Sequence, residues 1–403
     1  MRVLQIHAPY RQEGGEDAVV REEASLLRAA GHEVFEHHVP NPQARGETLA
    51  ALARAPWNPA SAREIREVVR RFRPDIAHVH NTWFGLSPSV PAAVHQLGVP
   101  VVMTLHNFRL MCVNGLLFRD GTVCEDCVGT HPWRGVQHRC YRGSRPLSVI
   151  AASTVALGRT RHTWDRSIDR FIAPSAFTKA KIADGGVAAE KIIVKPHGVQ
   201  DPGARLRPPS ASSTVLFVGR LSPEKGLRVL IDAWERVRPA SLELVVVGEG
   251  PQRRLLEARR TERVRFLGWR APAEVRRLML SARALAFPSL WYESFALTVV
   301  EALAAGLPVL AADIGSAAAI VRTVGPEWLV SSADVEGWAA ELRQLESSRA
   351  IDVAGRRARS LYEASYTPRH SVTQLENIYA DVIQGRAAVT DDRRVMRTAD
   401  RHG

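Results

Sequence analysis

Near its three-quarter point the chain reads Phe287-Pro-Ser-Leu-Trp-Tyr-Glu293-Ser-Phe-Ala-Leu-Thr-Val-Val-Glu301-Ala-Leu-Ala-Ala-Gly-Leu-Pro308. Two carboxylates bracket the start of an apolar run. At 3.6 residues per turn their spacing leaves them about 80° apart on a straight helix, so two glutamates on one helix would not face one ligand. The pattern therefore predicts Glu293 on a loop and Glu301 inside a helix. The N–H groups of Phe295, Ala296 and Leu297 would lie between them, at the positive helix end, where a phosphate binds well. One carboxylate can hold the hydroxyls of a sugar and the other those of a ribose. The chemistry that suits this set is recognition of a nucleotide-activated sugar.

Further segments add to it. Gly219-Arg220-Leu-Ser-Pro-Glu-Lys225-Gly226 follows an apolar run and precedes a helical one. Two cations at the C-end of a strand can neutralise a diphosphate, and glycine lets the backbone come close. Glu13-Gly14-Gly15-Glu16 allows a tight turn with backbone N–H groups for an anion. Thr104-Leu-His106-Asn107 ends an apolar strand, so His106 would point into a ligand-binding crevice; a hydrogen-bonded structural histidine is the equal alternative. Gly248-Glu249-Gly250-Pro251 reads as a turn, Trp269 and Arg270 follow the next strand, and Trp269 reads first as a packing residue. Pro196-His197-Gly198-Val199 reads as a hinge.

All four cysteines, Cys112, Cys124, Cys127 and Cys140, fall in one segment. A reducing compartment argues against disulfides. Four thiolates suit a closed, structural zinc site, with His131 and His138 as substitute ligands; disulfides or free thiols are the other readings. Metal analysis of chelator-free protein should then give one zinc per chain.

The elements that must position these residues alternate. Val3–His7, Glu33–His38, Ile76–His80, Val101–Leu105, Arg170–Ala173 and Ile192–Lys195 read as strands, and Asp17–Ala30 as a helix stopped by Gly31. After a segment rich in Pro, Ser, Gly and Ala the alternation resumes. Strands at Val215–Val218, Leu242–Val247, Val264–Leu267, Ala284–Phe287 and Val309–Ala311 flank a helix at Leu227–Arg236. Such alternation favours parallel sheets covered by helices, with ligands beyond the strand C-ends. The boundaries expected are an N-terminal domain over 1–198 with an insert at 107–146, a linker at 199–213, a C-terminal domain over 214–365, a terminal helix at 366–385 and a disordered tail at 386–403.

The Glu-x7-Glu segment, with Pro-Ser before it and Glu-Ala-Leu-Ala-x-Gly-x-Pro after it, resembles the retaining glycosyltransferases of family four. That resemblance implies an α/β fold of two Rossmann-like domains facing a cleft (GT-B). It implies that Glu293 lies near the donor sugar, that Glu301 binds ribose, and that Arg220 and Lys225 hold the diphosphate and stabilise it as it leaves. Gly14 and Gly15 are similar to a loop that reaches the donor phosphate from the other domain, and His106 to a histidine that contacts the donor sugar. Gly219 belongs to the diphosphate loop, and Glu249, Trp269 and Arg270 lie where the base is expected. The terminal helix would cross back to the N-terminal domain. Retention is usually explained by same-face attack, with the departing phosphate oxygen taking the acceptor proton. No dedicated base and no catalytic metal are then expected, and catalysis needs cleft closure. The chain departs from the family in two places. Ala296 stands where Gly or Pro is usual, and Ile314-Gly-Ser-Ala-Ala-Ala-Ile320 lacks the second glycine and acid of the usual Gly-Gly-x-x-Glu.

The chain has 403 residues, enough for two full domains, and a formal net charge of +12. No run of residues is long and apolar enough to cross a bilayer, and the N-terminus reads as a strand, so the expected place is the cytoplasm. No nucleic-acid motif is present, so nucleic acid is not an expected partner. The basic surface suits phosphate ligands or an anionic membrane, the latter through the amphipathic segment Ala62–Phe72, which reads first as a sheet-covering helix. The function expected is a retaining transferase that moves a sugar from a nucleotide diphosphate sugar to an acceptor glycan or lipid-linked precursor. A small-molecule acceptor, a sugar-nucleotide epimerase or hydrolase, and an inactive sugar-nucleotide-binding scaffold are the alternatives.

Overall fold

The computed structural model describes residues 1–9, 14–39, 41, 45–259, 262–347 and 350–399. The chain forms two compact units. The first comprises Met1–Gly115, Glu125–Lys195 and Ser371–Gly403, and the second Leu116–Cys124 and Pro196–His370.

The first unit is built on β1 (Arg2–His7), β2 (Glu33–His38), β3 (Ile76–Asn81) and β4 (Val101–Thr104). β7 (Arg170–Ala173) and β8 (Ile192–Val194) complete the first sheet, while the short β5 (Phe118–Arg119) and β6 (Thr122–Val123), which group with the second unit, pair antiparallel. The order of the first sheet is β2-β1-β3-β4-β7-β8, all parallel. The inner strands β1, β3, β4 and β7 are buried on both faces and read largely as apolar runs, which is why they are legible in the sequence. One face is apolar at the strand N-ends. Val3, Ile76, Val102 and Ile172 pack there with Leu375, Ile378, Tyr379 and Val382 of the terminal helix Pro368–Ala399. That helix opens on Thr367, whose Oγ1 accepts from the His370 N–H at 3.3 Å, with Pro368 at its first position.

The second unit contains β9 (Thr214–Val218), β10 (Glu243–Val247), β11 (Val264–Gly268), β12 (Ala284–Phe287), β13 (Val309–Ala312) and β14 (Leu329–Val330). Their order is β11-β10-β9-β12-β13-β14, again parallel. Trp234, Trp338 and Tyr362 are among the large side chains buried in its core.

Several expectations differ from what is observed. Segment 199–213 belongs to the second unit and is strapped to it. Arg205 donates to the carbonyls of Met279 at 2.8 Å and Ala282 at 2.5 Å, and the Tyr362 hydroxyl donates to Val199 O at 2.9 Å. Residues 386–399, expected as a disordered tail, continue the terminal helix, consistent with the good helix formers Ala, Arg and Met there; 400–403 lie outside the described residues. The helix Pro59–Phe72, by contrast, buries Ala62, Ile65, Val69 and Phe72 within the protein, in agreement with the first reading of this segment as a covering helix rather than a membrane-resting one. Among the described residues no helix is long and apolar enough to cross a membrane.

Candidate functional site

In each sheet the strand order reverses between two neighbouring strands, and the crevice beyond their C-ends is where such sheets bind ligands. In the second unit those strands are β9 and β12. The loop after β9 carries Arg220 and Lys225, and the loop after β12 carries Ser289, Trp291 and Glu293. The two loops lock together through Gly226, whose φ is +68°. A Cβ there would lie 1.8 Å from Pro288 O. Leu290 N–H donates to Glu224 O at 2.8 Å beside it.

This contact brings together residues far apart in sequence. Glu293, only 7% exposed, accepts through Oε1 from Lys225 Nζ at 2.6 Å, Trp291 Nε1 at 2.9 Å and Ser289 Oγ at 3.1 Å. The Lys225 ammonium also lies 5.3 Å from the Trp291 ring centroid. Arg220 is held by Glu224 at 2.7 Å, and the Ser222 hydroxyl donates to the same oxygen at 2.7 Å. Burial pushes the Glu224 carboxyl up, but hydrogen bonds from Ser222, its own backbone and Arg220 outweigh it and hold its pKa below the ordinary value. Ser289, Trp291 and Glu224 were not singled out from the sequence. Their signal was only their position at strand C-ends.

Glu293 lies on a loop and Glu301 inside the helix Leu297–Ala304, as the spacing implies. Burial of its carboxyl raises the Glu301 pKa to about 7, offset in part by Arg276. The expected row of N–H groups is altered. Leu297 N–H is donated to Phe295 O at 3.0 Å in a tight turn, which leaves Phe295 and Ala296 of the three proposed donors. Ala296 is buried, and its methyl group is accommodated there. Gly315, with φ +66°, supports the Glu293 loop: a Cβ there would lie 3.2 Å from Glu293 N.

The turn after β10 packs against the loop after β9. A Cβ on Gly248 would lie 1.9 Å from Gly219 O, and one on Gly250 would lie 2.4 Å from Leu221 O. Glu249 pairs with Arg253, and Arg270 with Glu274 at 3.5 Å. Trp269 is 68% exposed, so the packing reading of this residue is corrected. It stands at the C-end of β11 with its ring open to solvent.

In the first unit the reversal lies between β1 and β3. Glu13 lies outside the described residues. Gly14 caps the helix Gly15–Ala29, and its N–H is taken by Asp17 Oδ2 at 2.8 Å rather than left for an anion. Asp17 Oδ1 in turn lies 2.8 Å from His7 Nε2.

Beyond the apolar part of this sheet face lies a polar one. Gln5, His78 and Val102 align across β1, β3 and β4, and the next residues on that side are His80 and Thr104. His78 bonds the Tyr379 hydroxyl and Thr104 Oγ1, each at 2.7 Å. Its pKa is lowered to about 4 by burial and by Lys195, against the pull of Glu23. Glu23 accepts from Lys195 Nζ at 2.6 Å. His106 joins His80 at 3.0 Å. Burial, then His7, His78 and Lys195, hold the His106 pKa well below the ordinary value. His80 and His106 line a pocket with Asn81, Arg109, Thr154 and Trp164. Arg109 stacks there, with Cζ 4.9 Å from the Trp83 ring centroid, and Gly115 leaves room for it.

Among the described residues, Glu23, His78 and His80 bring three potential ligand atoms within 4.8 Å of one another. Their donor set does not suit a cation: the ammonium of Lys195 already supplies the positive charge, and the ring nitrogens already bond protein partners. The expected zinc ligands Cys112, Cys124, Cys127 and Cys140 form no such group among the described residues. Cys112 and Cys127 are buried and Cys124 and Cys140 half-buried. Cys112 Sγ donates to Asn114 Oδ1 at 3.0 Å, a contact that fits a thiol rather than a metal-bound thiolate.

Two parallel Rossmann-like domains, each with polar groups at its reversal point, define a two-domain nucleotide-using α/β architecture. Residues 14–201 match the family model described as Glycosyltransferase Family 4, and residues 212–348 the model described as Glycosyl transferases group 1. A glycogen synthase of Mycobacterium tuberculosis is 30% identical over 78% of this chain and 71% of its own length. A 2-deoxystreptamine glucosyltransferase of Streptomyces kanamyceticus is 27% identical over 79% of this chain and 80% of its own. The crystal structure of Anabaena HepE in complex with UDP superposes with a TM-score of 0.69 at 17% identity, over 94% of this chain and 100% of that one. The chain belongs to glycosyltransferase family 4 and is a glycosyltransferase.

Proposed function

We propose that the enzyme takes a sugar from a nucleoside diphosphate sugar and passes it, with retention, to an acceptor hydroxyl. The observation that carries this reading is the Lys225–Glu293 pair at 2.6 Å, beyond the reversal of the second sheet and beside the loop of Arg220. Arg220 and Lys225 hold the diphosphate and offset the charge that grows as it leaves. Glu293 orients the sugar and stabilises positive character at its anomeric carbon. Glu301 holds ribose, Phe295 and Ala296 offer N–H groups to phosphate, and Trp269 stacks on the base. Gly219, Glu249 and Arg270 shape that side of the pocket. His106, which follows β4, is assigned a contact with a sugar hydroxyl, and Gly15 opens the helix that follows β1.

The anomeric carbon–oxygen bond breaks with its electrons going to the diphosphate. The acceptor oxygen attacks from the same face, and its proton passes to the departing phosphate oxygen. The charge work is assigned to cations and N–H groups of the chain itself.

The acceptor is read as a glycan or lipid-linked sugar in polysaccharide or glycolipid biosynthesis. HepE with UDP supports the donor class, and the glycogen synthase relative supports a carbohydrate acceptor. The decisive experiment is calorimetric titration with UDP, GDP, ADP and TDP, repeated with Glu301→Ala. Tight binding of one diphosphate, lost in the variant, is the expected result. No binding to any of them would remove the donor site from this account.

A further inference from the structure

Gln5 is fully buried in β1, and its bonds set the protonation of its neighbours. Its Nε2 lies 3.0 Å from Val20 O and 3.2 Å from His80 Nε2. A backbone carbonyl only accepts, so the side-chain amide must present its nitrogen on this side. One hydrogen goes to Val20 and the other to His80 Nε2, which must therefore carry no proton. The His80 proton then sits on Nδ1. That nitrogen lies 3.0 Å from His106 Nε2, so it donates and His106 Nε2 accepts. The rings are held parallel, with centroids 5.3 Å apart and planes 29° off.

We propose that Gln5 and His80 are positioning residues that fix His106 as the neutral tautomer with its proton on Nδ1. Burial keeps the imidazolium form out of reach, which fits the tautomer reading. A neutral ring also avoids repelling the positive character that builds at an anomeric carbon. The consequence for transfer rests on the role given to His106 above; the tautomer itself does not.

The direction of the chain of bonds can be reversed. In Gln5→Glu a protonated carboxyl donates to Val20 O and accepts from His80 Nε2–H. His80 Nδ1 would then accept from His106 Nε2–H. Gln5→Leu removes the donor and releases both rings. The test is nitrogen NMR of the full chain labelled at its 14 histidines, with His106 assigned by loss of its signals in His106→Gln. The wild type should show a protonated Nδ1 on His106, Gln5→Glu a protonated Nε2, and Gln5→Leu a mixture. A protonated Nε2 in the wild type, or an unmoved pattern in both variants, overturns the relay. Turnover with a sugar-nucleotide donor should fall roughly tenfold in Gln5→Glu, the size expected for one lost hydrogen bond, with a smaller change in KM. A reversed tautomer with unchanged turnover keeps the relay and removes His106 from the transfer step.

Discussion

At the scale of single residues, Glu301 and Lys225 carry the sharpest consequences. The Glu301 pKa is raised to about 7 by burial. In the proposed role ribose hydroxyls would donate to the ionised carboxylate, so bound nucleotide would lower that pKa and binding would release a proton. Affinity therefore rises as pH rises through 7 and levels off above it. Between pH 6 and 8 the ionised fraction changes about tenfold, and the dissociation constant of the preferred diphosphate should fall by a similar factor. Glu301→Gln should lose this component and keep the part due to the diphosphate itself, which titrates near ~6. Equal pH slopes for the two proteins in calorimetry would remove Glu301 from the ribose site. Lys225→Ala should abolish transfer while leaving the fold intact, because Trp291 and Ser289 still donate to Glu293. Full activity in that variant would take the diphosphate away from Lys225. The residue types of both groups were legible because each follows a strand or opens a helix. The histidine relay was not. His78 and His80 sit within a strand that reads simply as buried, and the only signal was polar alternation in a strand expected to be apolar on both faces.

At the scale of elements, the strands that position the site were readable as apolar runs, and most observed boundaries fall within a residue or two of those expected. The misses are short: β14 has two residues, and the β5–β6 hairpin two in each strand, too few for any periodicity. What no pattern announces is which loops touch. Gly226 closes the segment read as the diphosphate loop, and in the structure its close neighbour is Pro288 O. Its positive φ and the 1.8 Å approach of an added Cβ make this glycine a joint between the β9 and β12 loops. Gly226→Ala should separate Lys225 from Glu293 and cost on the order of 2 kcal/mol or more in denaturant unfolding. Nucleotide affinity should fall with it. An alanine variant as stable and as tight-binding as the wild type would show that the joint yields cheaply.

At the scale of the whole molecule, chain order and packing disagree at the C-terminus. The terminal helix follows the second unit in sequence, yet Ser371–Gly403 groups with the first. In the sequence a crossing helix is suggested only by family resemblance, since nothing in Leu375, Ile378, Tyr379 and Val382 says which apolar face they cover. The structure supplies specific ties as well as apolar cover. Glu376 meets His32 at 2.8 Å, Arg386 meets Asp169 at 2.8 Å, and the Tyr379 hydroxyl reaches His78 at 2.7 Å beneath the polar part of the sheet. Tyr379→Phe keeps the ring in place and leaves His78 Nδ1 without that partner, buried, at a cost of about 1–3 kcal/mol. Because the helix is part of the first unit's core, the loss should be local. Hydrogen exchange should quicken in Arg2–His7, Ile76–Asn81 and Val101–Thr104 and stay unchanged in Thr214–Val218 and Ala284–Phe287. Deleting residues 371–403 should be far more severe, because it strips the apolar cover from Val3, Ile76, Val102 and Ile172. The two experiments separate polar tie from apolar cover. Exchange that quickens equally in both sheets of the Tyr379→Phe protein would mean that the two units unfold as one.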